Sequence, residues 1–139
     1  LRDRGLPLAA GLVMISPYLD ITLSLPSVTR NARLDPMVTA HALRRGSDGY
    51  RGNIPENDPR VSPLFADLHG LPPVLVQAGS AEILLDDALQ FSERALAAGI
   101  NVQCHIYDGP WHNFQMFNAL IAEADDALDE IGEFIKASN

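Results

Sequence analysis

A single cysteine, Cys104, stands among the 139 residues, which excludes an internal disulfide and any zinc site built on paired cysteines. Cationic side chains are scarce: 10 Lys+Arg face 18 Asp+Glu, giving a formal charge of −8. Nucleic acids and anionic membrane surfaces are recognised by clustered cations, so neither is an expected partner. Long apolar runs are also lacking. The longest uncharged stretch, Gly5 to Leu19, is interrupted by Pro7 and Pro17 and falls short of the ~18–20 apolar residues that span a bilayer. With no secretory leader recognisable, the expected location is the cytoplasm. Internal repeats and low-complexity tracts are missing too. What remains is an ordinary domain composition, 47% apolar and 20% charged, in a chain long enough to bury roughly two thirds of its unfolded surface. The first residue is Leu1 rather than Met, which points to a piece of a longer protein.

Three apolar runs read as strands. Ala9 to Ser16 is closed by Pro17; Val74 to Ala78 is opened by Pro72-Pro73 and closed by Gly79; Asn101 to Tyr107 is closed by Asp108-Gly109-Pro110. The first two are almost continuously apolar, as strands covered on both faces of a parallel sheet are. The third alternates, with Val102, Cys104 and Ile106 on one face and Gln103, His105 and Tyr107 on the other, which marks a half-exposed strand near an edge.

Helical patterns lie between and after the strands. Thr39 reads as the N-cap of a helix over Ala40 to Arg45, broken by Gly46. A stronger helix starts at Asp86 or Asp87 and runs to Ala98, with Ala88, Phe91, Ala95 and Ala98 as its apolar stripe and Gly99 as its stop. A last amphipathic helix covers about Leu120 to Ala137, with Ala127, Ile131, Phe134 and Ile135 inward and Glu123, Asp126, Asp129 and Glu130 outward. Residues 46–72, rich in Gly, Pro, Asp and Asn, read as a long ordered loop. Strand, helix, strand, helix predicts an α/β fold with a parallel sheet of about three strands. Its first strand is as apolar as a central one yet has no predicted neighbour on its far side.

Catalytic and binding groups of such sheets lie at the carboxyl ends of the strands. There the sequence places Glu82 after the second strand and His112 after the third, and neighbouring strands bring the two loops together. A carboxylate that accepts the Nδ1–H of an imidazole fixes its tautomer and leaves Nε2 free as a base. Asp86 and Asp87 are rival acids, although an N-cap role suits their position at the start of a helix better. His41, His69 and His105 read as structural or exposed, Cys104 as a core thiol, and Ser80 as lacking the paired glycines of a nucleophile turn. Trp111 and Phe114 either wall a pocket or pack the histidine loop.

The segments Gly79-Ser80-Ala81-Glu82-Ile83-Leu84-Leu85-Asp86-Asp87 and Trp111-His112-Asn113-Phe114-Gln115 resemble the acid and histidine motifs of the hormone-sensitive-lipase-like group of α/β-hydrolases. Ser16-Pro17-Tyr18-Leu19-Asp20, Ser62 to Leu68 and Gly70-Leu71-Pro72-Pro73 resemble that group's connecting segments, so the likeness runs along nearly the whole chain. The resemblance implies a carboxylesterase or lipase acting on small ester substrates through a serine nucleophile, with Glu82 and His112 as triad acid and base. It implies no cofactor and no metal. The acid is Glu where the group most often has Asp, and both carboxylates suit the role. The Gly-x-Ser-x-Gly turn and the HGGG-type oxyanion loop do not occur in the sequence. Residues 1–139 therefore read as the C-terminal portion of an α/β-hydrolase catalytic domain, without nucleophile, oxyanion loop or N-terminal lid, and inert alone. Two other readings stand beside it. One is a non-catalytic association module derived from an esterase, forming a homodimer through a sheet edge. The other is a flavodoxin-like binding domain, which would need a phosphate-cradling glycine loop that the sequence lacks.

Overall fold

The computed structural model describes residues 1–138. Its centre is a parallel sheet of β1 (Leu12–Ile15), β2 (Val74–Gly79) and β3 (Val102–Tyr107) in the order β1-β2-β3, as the sequence predicts. β1 is shorter than its apolar run. Its ladder opens where Leu12 donates to the Pro73 carbonyl, and Pro72-Pro73 have no N–H groups with which to extend the pairing backwards. β2 is buried along its whole length because both its edges are paired and both its faces are covered.

Four helices accompany the sheet among the described residues: α1 (Ser27–Arg30), α2 (Ala40–Arg51), α3 (Leu85–Ala97) and α4 (Ala122–Ser138). On one face, Val74, Val76 and Ala78 of β2 meet Ala88, Phe91 and Ala95 of α3 in the main core, joined by Leu12, Met14, Val102 and Cys104. The stripe expected of α3 is thus the one it buries, and Gly99 follows the helix at φ 78°. On the opposite face, Gln77 donates to the Ala127 carbonyl of α4 at 2.9 Å, and Phe114 packs with Ala124 and Ala127. The alternation of β3 holds at Val102 and Cys104, whereas Ile106 is left exposed at the sheet's edge.

Two helices differ from the sequence reading. α2 runs straight through Gly46 and Gly49 to Arg51, inside the segment expected to be loop, and a 3-10 turn (Pro63–Phe65) adds further order there. An interior glycine costs a helix roughly 1 kcal/mol, and tertiary anchors outweigh that. The anchor is Arg44, which reaches the carbonyls of Ile21 and Thr22 and pairs with Glu56; at the helix end Arg51 adds only local bonds, to Asp48 and the Ile54 carbonyl. Thr39 does cap the helix, accepting from the Ala42 N–H. In α4, Glu130 faces the sheet rather than solvent. Its carboxylate accepts from Gln77 at 2.6 Å and from the Tyr107 hydroxyl at 3.1 Å, and pairs with His105. Ile135, expected inward, is half exposed, because the buried stripe runs through Ala124, Ala127 and Phe134. No helix among the described residues is long and apolar enough to cross a membrane.

Asp87 ties α3 to the segment after β1 and does not cap its helix. Its Oδ1 accepts the N–H groups of both Leu19 and Asp20, at 2.7 and 2.8 Å. Burial pushes its carboxyl from 3.8 up to about 7, against the pull of those two donors. Between those values the folded chain holds a proton that the unfolded chain has released, so stability from this group is complete at low pH and drains away as pH rises through the window. Asp87→Asn keeps the Oδ1 acceptor and removes the titration. From pH 4 to 7.5 the wild type is expected to lose on the order of 2–4 kcal/mol that the variant does not. Urea midpoints across that range check it, and parallel pH slopes for the two proteins would rule the assignment out.

Candidate active site

The carboxyl end of the sheet brings three loops together, and the residue after each strand shows how. After β2 the chain turns immediately, Glu82 N–H bonding the Gly79 carbonyl, so the Glu82 side chain folds back over the strand end. Its Oε1 accepts the Gly79 N–H at 2.6 Å and the Ser16 hydroxyl at 2.7 Å, and the side chain is fully buried. The other oxygen, Oε2, faces the Nδ1 of His112 at 3.5 Å. That distance fits an ion pair and is long for a hydrogen bond. Neither atom has another polar partner, so a small approach on charging the ring closes the gap.

His112 comes from the loop after β3. Pro110 crosses directly above Gly79, its carbonyl accepting the Ala81 N–H at 3.0 Å, while Ser80 N–H bonds the Tyr107 carbonyl. Asn113 then takes a left-handed conformation, φ 56°, and its side-chain amide meets the Nε2 of His112 at 3.0 Å. With the amide N–H donating, Nε2 is an acceptor and the ring proton sits on Nδ1, towards Glu82. This is the tautomer a general base requires. Phe114 is wholly buried against Tyr107, with ring centroids 5.0 Å apart, so of the two readings for this residue the structure takes the packing one. Trp111 stands edge-on to Phe117.

Glu82 and His112 are thus brought together, and the rival acids are not. Asp86 turns to α1, where it accepts the Ser27 N–H at 2.8 Å and pairs with Arg30, and Asp87 serves the segment after β1. His69 pairs with Asp67, His105 with Glu130, and His41 is exposed on α2, all away from this site. Cys104 is a free, partly buried thiol, and Ser80 bonds Asp108.

Three supporting residues escape the sequence reading. Asn31 donates to the carbonyls of Ser80 and Glu82 at 3.0 and 2.7 Å, clasping the acid loop from both sides. Asp35 accepts the Ile83 N–H at 3.1 Å. Ser16 joins Glu82 to the histidine loop, since its hydroxyl also accepts the Asn113 N–H at 3.0 Å. All three are buried. Asn31 and Asp35 give no sequence signal beyond being polar residues after a short helix, and Ser16 opens a segment that resembles the family's without a role for its hydroxyl.

Known proteins share this arrangement of the chain. Residues 1–116 match a family described as having the alpha/beta hydrolase fold. An esterase of Acinetobacter venetianus is 51% identical over 126 residues, which make up 90% of this chain and 42% of that protein. An acetyl-hydrolase of Streptomyces hygroscopicus is 33% identical over 138 residues, 99% of this chain and 46% of the relative. The crystal structure of a hormone-sensitive lipase from a metagenome library superposes with a TM-score of 0.96 at 40% identity, over 99% of this chain and 47% of the lipase. The chain spans less than half the length of these relatives.

Proposed function

The chain belongs to the α/β-hydrolase fold family, and from that membership we propose that it supplies the acid and base of a serine-dependent carboxylic ester hydrolase, with Glu82 orienting His112 and the serine lying outside these 139 residues. One observation carries the reading: Glu82 Oε2 and His112 Nδ1 face each other with no competing partner while Nε2 is left as an acceptor. Relatives named esterase and acetyl-hydrolase support the choice of ester chemistry.

In that reaction the serine hydroxyl takes the place at Nε2 that the Asn113 amide occupies here, and gives its proton to the ring as its oxygen attacks the ester carbonyl. The imidazolium so formed lies against the carboxylate of Glu82, whose second oxygen is held by two donors and cannot swing away. The same proton then passes to the leaving alkoxide. Water, deprotonated by the same nitrogen, hydrolyses the acyl intermediate.

Two measurements with p-nitrophenyl butyrate test this. The 139-residue chain alone is expected to show no turnover that depends on His112. A chimera in which the N-terminal half of the Acinetobacter venetianus esterase precedes this chain is expected to hydrolyse the ester. Its His112→Ala variant should lose ~10³–10⁶-fold in kcat. Turnover by a folded chimera that ignores His112, or His112-dependent turnover by the chain alone, would overturn the reading.

A further inference from the structure

Ser16 sits where the three strand ends converge. It follows β1, keeps the ladder going by donating its N–H to the Gln77 carbonyl, and is only 3% exposed. Its backbone lies at φ 45°, a left-handed conformation that non-glycine residues adopt at a cost of roughly 1 kcal/mol. From that position its hydroxyl reaches both the acid and the histidine loop. The single proton goes to Glu82 Oε1 at 2.7 Å, and a lone pair accepts the N–H of the His112–Asn113 peptide at 3.0 Å. One buried oxygen therefore fixes the acid through its carboxylate and the base through the adjoining peptide. Its neighbours are the carboxylate and that peptide rather than Nε2, so it is not placed as a nucleophile.

We propose that Ser16 is a positioning residue for the acid–base pair: its hydroxyl, by bonding Glu82 and the His112–Asn113 peptide at once, sets the Oε2 to Nδ1 approach. The inference rests on the assignment of Glu82 and His112 given above. A hydrogen bond to a charged group is commonly worth one to two powers of ten in an equilibrium, and here two bonds would go together.

The test reads the His112 ring in the 139-residue chain by ¹⁵N-resolved NMR at pH 8, in Ser16→Ala and Ser16→Gly. Alanine keeps the backbone strain and loses the hydroxyl. Glycine loses the hydroxyl and eases the strain, so the pair separates one effect from the other. The wild type is expected to show a protected Nδ1–H. In both variants its exchange with solvent should quicken by ~10–100-fold. In the chimera the same changes should lower kcat by a similar factor with little change in KM. A protected Nδ1–H retained in either folded variant overturns the proposal and leaves the acid–base pair standing. Loss of the folded sheet in both variants overturns it too, making the hydroxyl a folding element. A wild-type ring protonated on Nε2 instead would sink the pair itself.

Discussion

Glu82→Gln in the serine-supplied chimera is expected to lower kcat by ~10³–10⁴-fold while KM moves by only a few fold. The two oxygens of Glu82 are not equivalent, and the size of the effect follows from that. Oε1 accepts from the Gly79 N–H and the Ser16 hydroxyl, so in the variant the amide carbonyl must take this place. The amide nitrogen is then left facing His112 Nδ1 across the 3.5 Å contact. An N–H donor there asks Nδ1 to accept, which drives the ring proton to Nε2 and removes the base. The imidazolium, only 15% exposed and facing a fully buried side chain, also loses its counter-charge, and an uncompensated charge there is unfavourable. Shape and volume are conserved, so the thermal midpoint should change little, and steady-state kinetics beside a melting curve separate chemistry from folding. A Glu82→Gln protein within tenfold of the parent kcat would remove Glu82 from the reaction.

That pair was legible in the sequence for a topological reason. Glu82 and His112 each follow a recognisable strand, and parallel strands that are neighbours deliver their carboxyl ends to one rim of the sheet. Local pattern plus one topological rule is enough. The supports were not legible, since their meaning lies in partners far off along the chain: 66 positions separate Ser16 from Glu82 and 97 separate it from Asn113. No periodicity encodes such a bond. The same physics explains α2, where local propensity says stop at Gly46 but the bonds of Arg44 to the distant Ile21 and Thr22 carbonyls carry the helix on. Glu130 had a usable signal that the amphipathic pattern hid. Gln77 stands in an otherwise apolar, fully buried strand, and a buried amide requires a partner, which α4 provides. Gln115, just past the histidine, completes that chain by donating to Gln77 at 3.2 Å.

Gly79→Ala should be the most damaging small substitution for the fold, lowering stability by about 2–4 kcal/mol and the melting temperature by roughly 10 °C. A Cβ at this position would lie 2.1 Å from the Pro110 carbonyl oxygen and 2.5 Å from its carbon. These are backbone atoms at the start of the histidine loop, and they cannot rotate out of the way as a side-chain tip can. Relief requires the loop to lift, which breaks the bond from Ala81 N–H to Pro110 and moves His112 away from Glu82. Stability and the acid–base geometry are thus coupled through one hydrogen atom where alanine would have a methyl group. Gly132→Ala is the matching control: it lies inside α4, a Cβ there meets nothing within 4 Å, and the gain in helix propensity should leave the chain equal or up to about 1 kcal/mol more stable. Urea unfolding of the two variants side by side decides it. If Gly79→Ala unfolds at the wild-type midpoint, the histidine loop does not rest on the end of β2, and the juxtaposition on which the site depends is lost with it.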